Sequence, residues 1–191
     1  MRQLILEEWV SLDGFAADKT GGLDFFPSTE ASRPADERQL EFLKSIDTML
    51  LGRKTYEMFS DYWPAMTGEQ EIIADALNGL DKYVVSSTLN EAPWGERGTV
   101  EILRGDAVDR VRELKEQDGK DIVLWGSISL AQTLLGAGLI DRIRLNICPA
   151  ILGGGTALFA DAETMKKLKL VETRGYDSGV VWCEYMVERE S

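Results

Sequence analysis

Along most of the chain, short unbroken apolar runs alternate with segments of helical periodicity, and near the end only the apolar runs remain. Leu4, Ile5, Leu6, Trp9 and Val10 form the first run and predict a buried strand over 4–10. Ser11-Leu12-Asp13-Gly14 turns the chain, and Lys19-Thr20-Gly21-Gly22 marks a further loop. From about Asp36 to Asp47, Leu40, Leu43 and Ile46 recur at helical spacing. Pro34 fits just before or at the first turn of that helix, and Asp36 and Glu37 suit the positive end of its dipole. Thr48 to Leu51 reads as a strand ending at Gly52, after which Arg53 to Phe59 starts a helix. A helix over Glu69 to Leu80 places Ile73, Leu77 and Leu80 on one face.

The same reading continues downstream. Lys82 to Val85 is a strand stopping at Ser86-Ser87, Thr99 to Leu103 another, and Ala107 to Gln117 a helix. Asp121 to Trp125 is a strand broken by Gly126-Ser127, and Ile128 to Leu135 is the helix after it. Arg142 to Pro149 is a strand followed by Ile151-Leu152-Gly153-Gly154-Gly155. Leu168 to Arg174 and Val180 to Val187 form a hairpin across Tyr176-Asp177-Ser178-Gly179. Alternating strands and helices followed by strands alone predict an α/β fold. Its central sheet is mostly parallel with an antiparallel C-terminal edge, helices cover both faces, and residues 1–191 make one domain.

Composition narrows the function. There is no histidine among 191 residues, which removes Ser-His and Cys-His nucleophiles and the commonest transition-metal ligand together, so no metal site is expected. A net charge of −12 argues against nucleic acid and anionic membranes as partners, while a few local donors still suffice for an anionic small molecule. No run approaches the length of a membrane span, and Glu7 and Glu8 interrupt the N-terminal apolar run, so a cytoplasmic protein is expected. Cys148 and Cys183 lie in strand-like runs and read as buried free thiols.

Three strands end in small or hydroxyl residues where a helix begins: Gly52, Ser86-Ser87 and Gly126-Ser127. Helix starts offer free N–H groups and partial positive charge, which suits phosphate. Gly126 lets the backbone approach a pyrophosphate, and Ser127 and Ser129 add hydroxyls, although Ser127 equally fits a plain helix cap. Arg53 and Lys54 stand where a helix disfavours cations unless an anion is bound, and Thr55 adds a donor. Neither Gly-x-Gly-x-x-Gly after the first strand nor a Walker-type loop is present, so a dinucleotide must be held by several separate loops.

Taken in order, Ser11-Leu12-Asp13-Gly14, Leu51-Gly52-Arg53-Lys54-Thr55-Tyr56-Glu57, Val84-Val85-Ser86-Ser87 and Val123-Leu124-Trp125-Gly126-Ser127 resemble the dihydrofolate-reductase superfamily. With Pro149-Ala150-Ile151-Leu152-Gly153-Gly154-Gly155 the resemblance narrows to the riboflavin-biosynthesis reductase C-terminal-domain family, in its stand-alone form. It implies a dihydrofolate-reductase-like three-layer fold, an eight-stranded sheet and bound NADPH. By that resemblance Arg53, Lys54 and Thr55 contact the 2′-phosphate and neighbouring phosphates, with Gly52 opening the helix and Ser86 and Ser87 near the adenosine ribose. Gly126, Ser127, Ile128 and Ser129 cradle the pyrophosphate. Ser11, Leu12, Asp13 and Gly14 form the loop beside the nicotinamide, and Pro149 to Gly155, with Gly153 and Gly154, wall the same end.

Asp13 is the first candidate for a catalytic carboxylate and Asp36 the second, each weighed against an Asp-Gly turn and a helix-start acid respectively. Trp9, Phe25, Phe26, Tyr56, Trp63 and Trp125 are candidates to line a pocket for a flat ring, or simply core. The implied activity is an NADPH-dependent reductase that passes hydride to a small heterocyclic substrate, nominally 5-amino-6-(5-phosphoribosylamino)uracil. A dihydrofolate or pterin reductase and a non-catalytic nucleotide-binding protein are the alternatives. A homodimer is implied by the family.

Overall fold

The apolar run Met49-Leu50-Leu51 is fully buried, and the strands beside it repeat the pattern with Val84, Ile122, Val123 and Leu124. A strand with no polar alternation is covered on both faces, and this is the signature of a parallel sheet sandwiched by helices. The computed structural model describes residues 1–159 and 165–188. In chain order the elements are β1 Leu4–Ser11, β2 Phe15–Ala17, α1 Thr29–Leu43, β3 Ile46–Gly52, α2 Arg53–Tyr62, α3 Ala74–Asn78, β4 Asp81–Val85, β5 Glu101–Leu103, α4 Ala107–Glu116 and β6 Asp121–Trp125. They continue with α5 Ile128–Gly136, β7 Arg142–Cys148, β8 Thr156–Ala157, β9 Leu168–Gly175 and β10 Val181–Val187. The chain forms two compact units, Met1–Leu4 with Asp36–Ser127, and Ile5–Ala35 with Ile128–Ser191.

In the first unit, strands run β5-β4-β3-β6, and all three pairings are parallel. α4 lays Val111 and Leu114 inward and starts at Asp106, whose carboxylate accepts the N–H groups of Val108 and Asp109. The N-terminus is tied down by Arg2, which donates to Lys120 O, Asp47 and Thr48. Asp47 also accepts the Lys120 N–H at 2.7 Å.

In the second unit, β1 pairs parallel with β7, β7 antiparallel with β10, and β10 antiparallel with β9. The expected hairpin is therefore present, closed by a turn in which Gly179 N donates to Tyr176 O. β2 and β8, which the sequence pattern left as loop, form a separate small antiparallel pair. Arg142, Arg144 and Asn146 alternate with Ile143, Leu145 and Ile147, which gives β7 one polar and one apolar face. On the polar face Arg144 stands opposite Glu7 on β1 and Glu184 on β10. All three are buried, with Arg144 3.3 Å from Glu7, 3.9 Å from Glu184, and 5.1 Å from the Trp182 ring.

Two expected helices differ. α1 begins at Thr29, so Pro34 lies inside it rather than at its start, and Asp36 is not a helix-start acid. Ser28 supplies the cap earlier in the chain, accepting the Ala31 N–H on its hydroxyl, and Pro34 removes one ladder bond within the helix. The helix expected over Glu69 to Leu80 shrinks to α3. Gln70 turns back on Thr67 through its side chain at 3.2 Å, a local bond that competes with helix formation. Cys148 and Cys183 are buried free thiols, as expected. Cys148 sits opposite Ser11 and Cys183 opposite Leu145, so they occupy different registers. Burial alone pushes the Cys148 thiol up to about 11.

Removing the central guanidinium takes away the cation that faces buried Glu7, while Glu184 keeps Arg142 at 3.0 Å. Arg144→Met is therefore expected to lose about 3–5 kcal/mol of stability, read as a lower urea midpoint. A shift within 0.5 kcal/mol, the range of ordinary surface changes, would show that the ionic row contributes nothing.

Candidate functional site

The carboxyl ends of β4, β3 and β6 open on one edge of the first unit. Gly52 pairs with Val85 and Leu50 with Leu124, so the residues leaving the three strands are neighbours. The structure thus brings together Gly52 to Thr55, Ser86 to Thr88, and Gly126 with Ser127. In an open α/β sheet this is the edge where ligands collect.

Gly126 and Ser127 both leave β6 in the left-handed region, with φ of 59° and 57°, and Ser127 is the single non-glycine there among the described residues. A Cβ on Gly126 would lie 2.5 Å from Thr55 Oγ1, so only glycine lets this turn press on α2. A serine in this region costs about 1–2 kcal/mol. Its hydroxyl offsets that by accepting the Gly52 N–H at 2.6 Å and donating to Thr55 Oγ1 at 2.9 Å. Ser127 therefore clamps two strand exits together. Thr55 is buried and serves the same clamp. Gly52, as N-cap of α2, offers no side-chain cap, and no acid stands in the first turn. The start of this ten-residue helix keeps its N–H groups and positive end available.

Arg53 is half exposed, donates to Glu57 at 2.7 Å and to Thr88 Oγ1 at 2.9 Å, and so leans toward the β4 exit. Lys54 is exposed beside it. Ser86 is buried, and its oxygen accepts the N–H groups of Thr88 at 3.2 Å and Leu89 at 3.1 Å, which shapes the turn. Ser87 and Thr88 present the exposed surface of that turn. Thr88 was missed by the sequence reading, although it extends the Ser86-Ser87 hydroxyl run. Arg104, just past β5, was missed too; it donates to Leu89 O at 2.5 Å and holds the same turn. Trp125 lies 6.1 Å from Phe59, which is also 6.1 Å from Trp63, so these aromatics group along α2.

The second unit contributes a different arrangement. Ser11 ends β1, and its hydroxyl donates to Asp13 at 2.7 Å while accepting the Phe15 N–H at 3.0 Å. Asp13 reaches across to the glycine loop, accepting the N–H groups of Leu152 at 3.1 Å and Gly153 at 2.8 Å. Leu12 N donates to Ala150 O at 2.8 Å, and Leu158 N to Gly14 O at 3.0 Å, so the two loops are laced along their backbones. The Ser11 hydroxyl, opposed by desolvation and seconded by Gly153 and Leu152, holds the Asp13 carboxyl below the usual carboxylate range. With three donors on it, the Asp13 carboxylate latches the two loops together. Gly155 is the glycine pinned hardest, since a Cβ there would meet Ala17 O at 2.0 Å. Gly153 and Gly154 lie on the loop beside it, and exposed Pro149 packs under Gly179. Leu12 and Ile151, 66% and 74% exposed, put apolar side chains at the tips of the laced loops. Ile128 and Ser129 open α5 in this unit, half-buried and exposed respectively. Asp36 lies within α1 in the first unit, half-buried. Among the described residues, no three His, Cys, Asp or Glu side chains gather as metal ligands.

Two outcomes test these local arguments. Gly126→Ala is expected to lose at least about 1–3 kcal/mol in denaturant melts, since both overpacking and the left-handed backbone oppose it. Asp13 has a lowered folded-state pKa, so its contribution is complete above the ordinary carboxyl value of 3.8 and fades as pH falls through the lower folded value. The gap in thermal midpoint between wild type and Asp13→Asn should accordingly be constant at neutral pH and close in acid. A gap that widens in acid would contradict the latch.

Comparison with known proteins places this geometry. The RibD C-terminal domain family matches residues 2–182. A Bacillus subtilis (strain 168) protein, YyaP, itself described as uncharacterized, is 35% identical over 186 residues, covering 96% of this chain and 94% of that one. A crystal structure of a putative riboflavin biosynthesis protein from Shewanella sp. PV-4 aligns with a TM-score of 0.74 at 23% identity, covering 98% of this chain and 99% of that one. Dihydrofolate reductase from Enterococcus faecalis, complexed with NADP(H), aligns with a TM-score of 0.67 at 14% identity, covering 98% of this chain and 97% of that one. The fold is that of dihydrofolate reductase, an α/β architecture with a mostly parallel sheet and an antiparallel C-terminal edge. By sequence over nearly its full length, this chain belongs to the RibD C-terminal domain family of reductase-like proteins.

Proposed function

We propose that the chain works as a single cytoplasmic reductase domain that uses NADPH to reduce a small heterocyclic substrate, nominally in the manner of 5-amino-6-(5-phosphoribosylamino)uracil reduction. The observation that carries this reading is the start of α2: a ten-residue helix with no side-chain cap, two cations and no acid in its first turn, held by the Gly126–Ser127 turn. A helix start so built is electrostatically strained until an anion meets it, which fits the phosphates of a dinucleotide. When bound, the nicotinamide supplies the hydride.

The chain's own residues do the rest. Gly52 and the α2 N–H groups receive phosphate oxygen, and Arg53 and Lys54 pair with the 2′-phosphate. Thr55, Gly126 and Ser127 hold that backbone in shape, and Ser86 and Ser87 present the turn toward the ribose. Asp13 keeps Ser11 to Gly14 joined to Pro149 through Gly154, so the loops near the substrate stay ordered and water is excluded. No helix among the described residues is long and apolar enough to cross a membrane. Strand β9 is exposed along its whole length, and with Leu168, Leu170 and Val171 it offers an edge on which a second copy can pair.

Calorimetry should show NADPH binding more tightly than NADH. Arg53→Ala should weaken NADPH roughly 10–100-fold, the value of a charge-assisted hydrogen bond, and NADH far less. Equal losses would remove Arg53 as the reader of the 2′-phosphate, and no heat with either dinucleotide would end the cofactor reading. Solution scattering should return twice the 21.3 kDa chain mass; a value near 21.3 kDa would refute the homodimer.

A further inference from the structure

We propose that the recess at the amino ends of β3 and β4 is a further binding site, and that its ligand is a small organic cation, an amine or guanidinium on a hydrocarbon body. The recess has a volume of about 520 Å³ and lies wholly within the first unit, between the end of α1, the start of β3, α3 and the start of β4. That volume falls in the range of roughly 300–1,000 Å³ that small-molecule sites occupy. Thr48 pairs with Asp81 at this end of the two strands, and Gly52 with Val85 at the other. Four residues of strand, about 13 Å, therefore separate the recess from the edge that carries Gly52 and Ser86. The site is independent of the cofactor reading.

The lining sorts by chemistry. Leu40 and Leu43 from α1, Ile46 from β3 and Leu80 just before β4 supply an apolar wall, on which hydrocarbon is withdrawn from water. The charged residues around it are four carboxylates and one lysine, and part of that charge is already spent. Lys44 pairs with Glu41 at 2.6 Å, while Asp47 takes Arg2 and the Lys120 N–H. Asp75 and Asp81 are exposed and have no ion pair among the described residues. The lysines nearby are committed elsewhere: Lys82 donates to Asn78 O at 2.7 Å and Leu80 O at 2.6 Å, and Lys120 to Lys44 O at 2.9 Å. The recess thus keeps the charge of Asp75 and Asp81 beside an apolar wall. An anion is repelled there, a bare cation gains nothing from the leucines, and a neutral hydrocarbon leaves the two carboxylates to water. A cation on a hydrocarbon body matches both, as a lysine does when its stem lies on apolar surface and its head stays polar.

The test titrates hexylamine, hexanol, hexanoate and ethylamine into the intact chain and follows the backbone amide resonances. Hexylamine should move the amides of residues 40–47 and 75–81 and bind at least about fivefold more tightly than hexanol or hexanoate, the worth of exposed ionic contacts. Ethylamine, which keeps the charge and gives up most of the hydrocarbon, should bind at least about tenfold more weakly than hexylamine. The double variant Asp75→Asn, Asp81→Asn should lose the preference for hexylamine over hexanol and keep its NADPH affinity. Leu40→Ser should weaken hexylamine and hexanol alike. No shifts at these residues in wild type, hexanoate binding as tightly as hexylamine, or an undiminished preference in the double variant would overturn the site. A blocked lysine peptide that binds more than about tenfold tighter than hexylamine would overturn the small amine in favour of a protein's lysine.

Discussion

Ser127 and Gly126 occupy a stretch of backbone that L-residues avoid, and much of the first unit's rim follows from how that stretch is held. The Ser127 hydroxyl is shared between the Gly52 amide and the Thr55 hydroxyl, and the missing side chain of Gly126 allows the contact. The exits of β3 and β6 are thereby locked together, and α2 starts from a residue with no capping side chain. A conventional Ser or Asp cap at position 52 would satisfy the helix internally and close it to anions. Strain at one residue is exchanged for an open helix terminus, a pattern that marks functional turns.

The second unit solves a different problem. A strand with Arg144 and Asn146 on one face must bury them in the middle of a sheet, and water is not there to solvate them. Glu7 and Glu184 arrive in register from the strands on either side, so the guanidinium of Arg144 is matched. The fold is thus committed to a polar interior whose charges cancel, with Asn146 buried beside them. At the end of the same strands Asp13 spends its charge on the backbone of the glycine loop. The Asp13 carboxylate, a candidate for chemistry in the sequence, thus also holds the shape of its loop.

Much of this was legible in the residue order. Apolar runs without alternation marked β3 and β6, and Asp121–Trp125 was bounded to the residue because Gly126 ends it so sharply. The hairpin of β9 and β10 followed from its turn residues. The errors share a cause. Pro34 was read as a helix boundary, yet Ser28 caps α1 earlier, and a proline that loses one bond does not stop a helix otherwise held. The Glu69 segment has helical spacing, but the bonds between Gln70 and Thr67 turn it first. β2 and β8 are three and two residues long, too short to show a period.

The sequence by itself determined the fold class, the family, and which loops are chemically unusual, because hydrophobic periodicity and the order of glycine, hydroxyl and basic residues are local properties of the chain. Only the tertiary structure decided what the side chains in those loops do. That Asp13 binds amides some 140 residues away, that Thr55 is buried under a turn from β6, and that Glu7 and Glu184 neutralise Arg144 are all products of strand pairing. Hydrogen-bond partners and desolvation depend on distances in space, and these are fixed by register rather than by spacing along the chain.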